Sequence, residues 1–150
     1  MKLEKVDKII DRYPAKQGIL IQLLLDIQNE FNWIPEEAIV RISERLQVPV
    51  SQIYRIASFY KVMSLAPIGR HLIQVCLGTA CHVRGGPKIR DKVEECLKIK
   101  TGGTTSDMKF TLRRVNCLGC CALGPVMVVD NDYHGKITTA KVKEVLESYD

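Results

Sequence analysis

Leu3, Val6, Ile10 and Tyr13 recur three and four residues apart, which predicts a short amphipathic helix closed by Pro14. Ile19, Leu20, Leu23, Leu24 and Ile27 make a second apolar face, within a helix predicted over 15–31. Ile21 and Leu25 widen that stripe, so this helix is expected at the centre of a bundle. A third helix is expected from Pro35 to about Leu46. Proline suits the first helical position because no N–H is needed there, and Glu36 and Glu37 favour the positive end of the helix dipole. Ile53, Ile56, Tyr60 and Met63 place a fourth helix over 51–63, after which Pro67 and Gly69 break the pattern.

Beyond residue 70 the pattern alternates between strand and helix. A short strand is predicted over 71–76, then a loop containing Gly85 and Gly86, then a helix over 87–97 with Ile89, Val93 and Leu97 inward. Gly102 and Gly103 mark a turn. A strand over 108–115 puts Phe110 and Leu112 on one side, and a short, fully apolar strand covers 126–129. Asp130, Asn131, Asp132 and Gly135 read as a turn, and a last helix covers 138–149. The order strand, helix, strand, strand, helix suits a small sheet covered by helices. The expected class is therefore α/β: an N-terminal helical bundle over 1–65 and an α/β domain over 66–150, with a hinge at 66–70.

Composition narrows the chemistry. The 150 residues are 46% hydrophobic, enough for a real core. The net charge of +5 is mild, and Lys and Arg are interspersed with Asp and Glu, so no nucleic-acid groove is expected. No stretch approaches the ~20 apolar residues of a membrane helix. The most apolar segment, 18–25, is followed by Asp26, Asn29 and Glu30. The first residues lack the pattern of a secretory signal, so a cytoplasmic location is expected. In a reducing compartment, six cysteines between positions 76 and 121 point to metal binding or catalysis rather than a disulfide framework.

The cysteines read Cys76-x4-Cys81 and Cys117-x3-Cys121, with Cys120 inside the second pair. Each pair follows a predicted strand and so sits in a loop at a strand's end. If the two strands are parallel neighbours, four thiolates converge. A [2Fe–2S] cluster takes four cysteine thiolates, two per iron. Gly78, Gly119 and Gly124 would let backbone N–H groups turn toward sulfur. The cluster would be anionic, and Arg84, Lys88, Arg113 and Arg114 either offset it or are ordinary surface charges. Structural zinc usually shows a shorter insert between its pairs. Cys117-Leu-Gly-Cys120 is also a dithiol Cys-x-x-Cys, but such motifs usually open a helix, which Gly124-Pro125 opposes. A Rieske centre needs two histidines, and only His82 accompanies a cysteine; His71, His82 and His134 read as surface residues. Cys96 falls on an apolar helix face and reads as a small hydrophobe. Spacing alone leaves Cys120 open as a ligand in place of Cys121.

Three stretches together resemble a known family: Ser51-Gln52-Ile53-Tyr54-Arg55-Ile56-Ala57-Ser58-Phe59-Tyr60, then Val75-Cys76-Leu77-Gly78-Thr79-Ala80-Cys81-His82-Val83-Arg84-Gly85-Gly86, then Cys117-Leu118-Gly119-Cys120-Cys121-Ala122-Leu123-Gly124-Pro125. They resemble the thioredoxin-like [2Fe–2S] subunit of NADH:quinone oxidoreductase and of NAD-linked or electron-bifurcating hydrogenases. That resemblance implies a thioredoxin-like [2Fe–2S] domain behind the helical bundle. It implies cluster ligands Cys76, Cys81, Cys117 and Cys121, leaving Cys120 as an extra residue. It also implies an electron carrier without a substrate site of its own, docked on a subunit bearing FMN, the NAD(H) site and another cluster. The rival expectation is a free-standing thioredoxin-like binding or dithiol-redox protein. In the bundle, Trp33, Phe59 and Tyr60 are either interface anchors or core, and each reads first as core.

Overall fold

The structure, a computed structural model, describes residues 3–13 and 18–149. It divides into two compact units, Met1–Pro67 and Ile68–Asp150. The helical-bundle-then-sheet order is the α/β architecture expected from the pattern.

In the first unit the helices are α1 (Leu3–Ile10), α2 (Leu20–Phe31), α3 (Glu36–Leu46) and α4 (Val50–Phe59). The expected closure at Pro14 and the expected helical residues 15–17 lie outside the described residues. Gly18 has φ +79°, a left-handed conformation that α-helix does not use, and α2 begins only after it. Val6, Ile9, Leu23, Leu24, Ile27, Ile39, Ile42 and Ile53 form the centre of one apolar core. Polar contacts lace its surface. Asp7 accepts a paired bond from Arg41 (Nε 2.9 Å, Nη2 3.0 Å) and another from Arg45 (3.1 Å), which ties α1 to α3. The Arg41 bond outweighs the cost of burial and holds the Asp7 carboxyl below the ordinary value.

Helix α4 ends at Phe59, four residues before the predicted Met63. Met63 is nevertheless buried, because Gln28 holds the following segment from both sides. Its amide donates to the Val62 carbonyl (2.6 Å) and accepts from the Ser64 N–H (2.6 Å). The core reading of two aromatics does not hold: Phe59 is 78% exposed and Tyr60 is also exposed, and their rings stack edge to face. Trp33 is half-buried.

The second unit contains β1 (His71–Cys76), α5 (Thr79–Val83), α6 (Gly86–Leu97), β2 (Phe110–Val115), β3 (Val126–Val129), β4 (Asp132–Gly135) and α7 (Thr139–Glu147). The four strands form one sheet in the order β2-β1-β3-β4. Strands β1 and β2 run parallel, in register from His71↔Phe110 to Cys76↔Val115. Strand β3 is antiparallel to both β1 and β4. Two elements escape the sequence pattern. Helix α5 spans five residues, too few to show a period. Strand β4 is an exposed edge with no apolar alternation, so the predicted turn is confined to Asp130 and Asn131.

Strand alternation sorts the core into two faces. Ile73, Val75, Leu112, Met127 and Val129 pack with Ile89, Val93, Val142 and Leu146 of α6 and α7. Cys76, Val126 and Val128 join Cys81 in a separate cluster. Strand β3 is apolar at every position because it is buried on both faces.

Candidate metal centre

Because β1 and β2 are parallel and in register, both chains leave the sheet at the same end. Strand β1 ends on Cys76 itself, opposite Val115, and Cys117 lies two residues past that partner. The two loops then cross at close quarters. A Cβ on Gly78 would fall 2.3 Å from the Asn116 carbonyl oxygen, so only glycine permits the crossing. Helix α5 follows at once, started by the His82 N–H on the Gly78 carbonyl (2.7 Å), and it carries Cys81. The expectation that each pair lies wholly in loop is thus corrected: Cys81 is helical, and Cys121 opens a 3₁₀ turn, Cys121–Leu123. The Cys-x-x-Cys segment opens no α-helix.

The thiols form an inner and an outer pair. Cys76 and Cys81 are buried, whereas Cys117 and Cys121 are exposed with their sulfurs 3.9 Å apart. Among the described residues, no group of three or more His, Cys, Asp or Glu side chains is arranged to hold a single metal ion. All six cysteines are free thiols. Half-buried Cys120 packs against the cluster formed by Cys76, Cys81, Val126 and Val128. Cys96 is half-buried against the other core, with α6 and α7, so it lies apart from the site.

Backbone N–H groups serve the sulfurs. Gly119, at φ +78°, donates to Cys117 Sγ (3.3 Å). Burial opposes ionisation of Cys76, yet the N–H groups of Gly78 and Leu118 and the Cys81 thiol outweigh it and bring its pKa below the ordinary thiol value. Burial is also the largest influence on Cys81. With the Cys76 thiol and its charge it pushes Cys81 up to about 11, against a bond from the Val126 N–H. Cys121 is raised, first by its bond with Cys117 and then by that neighbour's charge, with smaller contributions from Cys76 and Cys120. Cys81 and Cys121 thus both feel the charge of Cys76, although Cys121 lies on the other loop. Gly78 and Gly119 turn N–H groups toward sulfur as the spacing suggested. Gly124 does not, since its N–H goes to the Cys121 carbonyl (3.2 Å). The Leu118 and Val126 donors carry no sequence signal, because any residue supplies an N–H.

Of the predicted cations, Arg84 reaches the site, donating from Nη1 to the Cys121 carbonyl (2.7 Å). Arg113 is half-buried, and burial lowers its pKa; Lys88 and Arg114 are exposed. Two histidines expected at the surface are instead partly buried and bonded. His71 pairs with Asp130 (2.7 Å) and His134 with the Tyr149 hydroxyl (3.1 Å), while His82 is exposed beside Cys81.

Residues 6–150 match the family of thioredoxin-like [2Fe-2S] ferredoxins. The chain is 35% identical over 145 residues to the NADP-reducing hydrogenase subunit HndA of Solidesulfovibrio fructosivorans, a match that covers 97% of this chain and 85% of that one. It is 36% identical over 146 residues to a component of the NADH-quinone oxidoreductase of Escherichia coli (strain K12), covering 97% and 88%. Its fold is similar to that of an NAD+-reducing [NiFe]-hydrogenase in the air-oxidized state, with a TM-score of 0.74 at 18% identity over 91% of this chain. The match spans 24% of that larger polypeptide.

Proposed function

The chain belongs to the thioredoxin-like [2Fe–2S] ferredoxin family, and from that premise we propose that it is the electron-transfer subunit of an NAD(H)-linked oxidoreductase complex, of hydrogenase or NADH:quinone oxidoreductase type, with one [2Fe–2S] cluster on Cys76, Cys81, Cys117 and Cys121. The relatives behind this reading are a subunit of an NADP-reducing hydrogenase and a subunit of an NADH-quinone oxidoreductase. The observation behind the ligand assignment is that two parallel strands deliver Cys76 and Cys117 to one end of the sheet, where Cys81 and Cys121 return to them.

The residues fit such a group. Sulfur comes in two pairs, and each iron of the cluster takes two thiolates. The N–H groups of Gly78, Leu118, Gly119 and Val126 already point at sulfur, the arrangement that stabilises an anionic cluster. When bound, the cluster takes up and releases single electrons, at about −400 mV if it is of the plant type. The buried pair keeps its sulfurs from water, and the exposed pair brings sulfur to the surface, where a redox partner reaches it. Hydride chemistry is assigned to a partner subunit carrying FMN and the NAD(H) site. This chain stores or passes the single electron.

Iron and acid-labile sulfide analysis of the purified chain should give two of each, about 2 per chain. Reduction with dithionite should give a half-integer-spin paramagnetic resonance signal. The signal is expected to vanish in Cys76→Ser, Cys81→Ser, Cys117→Ser and Cys121→Ser and to persist in Cys96→Ser. Zinc in place of iron, or two reactive thiols without sulfide, would overturn the electron-carrier reading. Persistence in Cys121→Ser with loss in Cys120→Ser would overturn only the choice of the fourth ligand.

A further inference from the structure

Resting on the electron-carrier reading, we propose that Arg84 sets the balance between the oxidised and the reduced centre: its positive charge, anchored across the two cysteine loops, favours the reduced form and helps to hold the iron. Arg84 follows Cys81 by three residues and ends α5 with its backbone N–H on the Ala80 carbonyl (3.3 Å), a task open to any residue with an N–H. Its side chain does something more specific. Nη1 donates to the Cys121 carbonyl (2.7 Å), 37 residues away along the chain. The stem of the side chain also approaches the inner pair. A Cβ on Gly124 would lie 3.1 Å from the Cys81 sulfur and 3.5 Å from Arg84 Cδ, so the stem and that sulfur flank one point. A single cation thus stands beside one cysteine of each pair.

No acid neutralises that cation. Among the described residues Arg84 belongs to no ion pair. No Asp or Glu occurs between Glu44 and Asp91, or between Asp107 and Asp130, the stretches that supply all four candidate ligands. Its partner is a neutral carbonyl, which fixes the guanidinium in place without cancelling its field. One-electron reduction takes the cluster and its four thiolates from roughly −2 to roughly −3. An adjacent cation stabilises the more negative form by the larger amount. Net charge is one of the quantities that set the potential of such a centre, and Arg84 contributes to it from a fixed position.

Redox titration of the chain and its variants, with dithionite as electron donor, gives the midpoint potential from the visible spectrum and the paramagnetic resonance signal. Arg84→Gln removes the charge and should make reduction about tenfold less favourable, which is about 59 mV for one electron. Arg84→Lys keeps the charge and should stay close to wild type. Lys98→Gln is the control. Helix α6 begins at Gly86 against the Cys76 carbonyl, where a Cβ would fall 2.7 Å from the oxygen, and Lys98 caps its other end. The helix rise puts about 18 Å between them, beyond the Debye length of about 10 Å, so Lys98→Gln should leave the potential unchanged. A chelator should strip iron from Arg84→Gln several-fold faster than from Arg84→Lys. Iron lost from Arg84→Gln during purification but kept by Arg84→Lys would support the same dependence on charge. Equal potentials in Arg84→Gln and wild type, equal shifts in Arg84→Gln and Arg84→Lys, an equal shift in Lys98→Gln, or iron lost from both Arg84 variants would overturn the proposal. A wild-type chain without iron and sulfide would instead overturn the electron-carrier reading beneath it, so the two failures are distinct.

Discussion

A methyl group on residue 78 would stand 2.3 Å from the Asn116 carbonyl oxygen, closer than any relaxed contact. The close approach of the two cysteine loops therefore depends on one missing side chain. Gly78→Ala is expected to cost about 1–3 kcal/mol, the usual range for overpacking, and to lower bound iron. Urea unfolding with iron analysis on the same sample checks both, and full iron content at unchanged stability would refute the crossing argument. Cys120 shows the limit of reading at this scale. Its position beside Cys121 leaves it open as a ligand, and only the fold shows that it is half-buried against the cluster of Cys76, Cys81, Val126 and Val128. Phe59 makes the complementary point. Its aromatic ring reads as core, but α4 ends on it and leaves it in water.

At the scale of elements, β1 and β3 fall where the pattern predicts them, because a strand that buries alternate or all residues announces itself in its apolar run. Helix α5 and strand β4 do not, since one is a single turn and the other an edge stabilised through its ladder with β3. Met63 keeps the spacing of a helix face after the helix has ended, because Gln28 hydrogen bonds replace the helical ones. The α1–α3 clasp supplies a prediction at this scale. The folded Asp7 carboxyl has a lowered pKa, so its contribution is present above the ordinary unfolded value of about 3.9 and is lost as pH falls through the lower folded value. Asp7→Asn should destabilise the iron-free chain by about 1 kcal/mol at neutral pH. The gap to wild type should close in acid. Urea midpoints from pH 7 downward test this, and a gap that widens in acid would contradict the assignment.

At the scale of the molecule, each unit has its own apolar core, and the candidate centre belongs to the second. Metal binding is coupled to folding where the ligands come from separate loops. Removal of iron is therefore expected to raise amide exchange over 76–86 and 115–127 by an order of magnitude or more, and to leave the central amides of α2 and α3 protected. Exchange measured by mass spectrometry before and after chelation checks this, with uniform loss of protection as the contrary result. The resemblance read from the three motifs is matched by the family found over residues 6–150. The sequence alone determined the helical and α/β halves, the strand bearing Cys76 and the six candidate sulfurs, because periodicity and residue chemistry are local properties of the chain. Tertiary structure decided which thiols lie inside and which at the surface, which N–H groups face sulfur, and that Arg84 joins the two loops. Those facts depend on strand order and register, which pair residues far apart along the chain and leave no periodic mark in it.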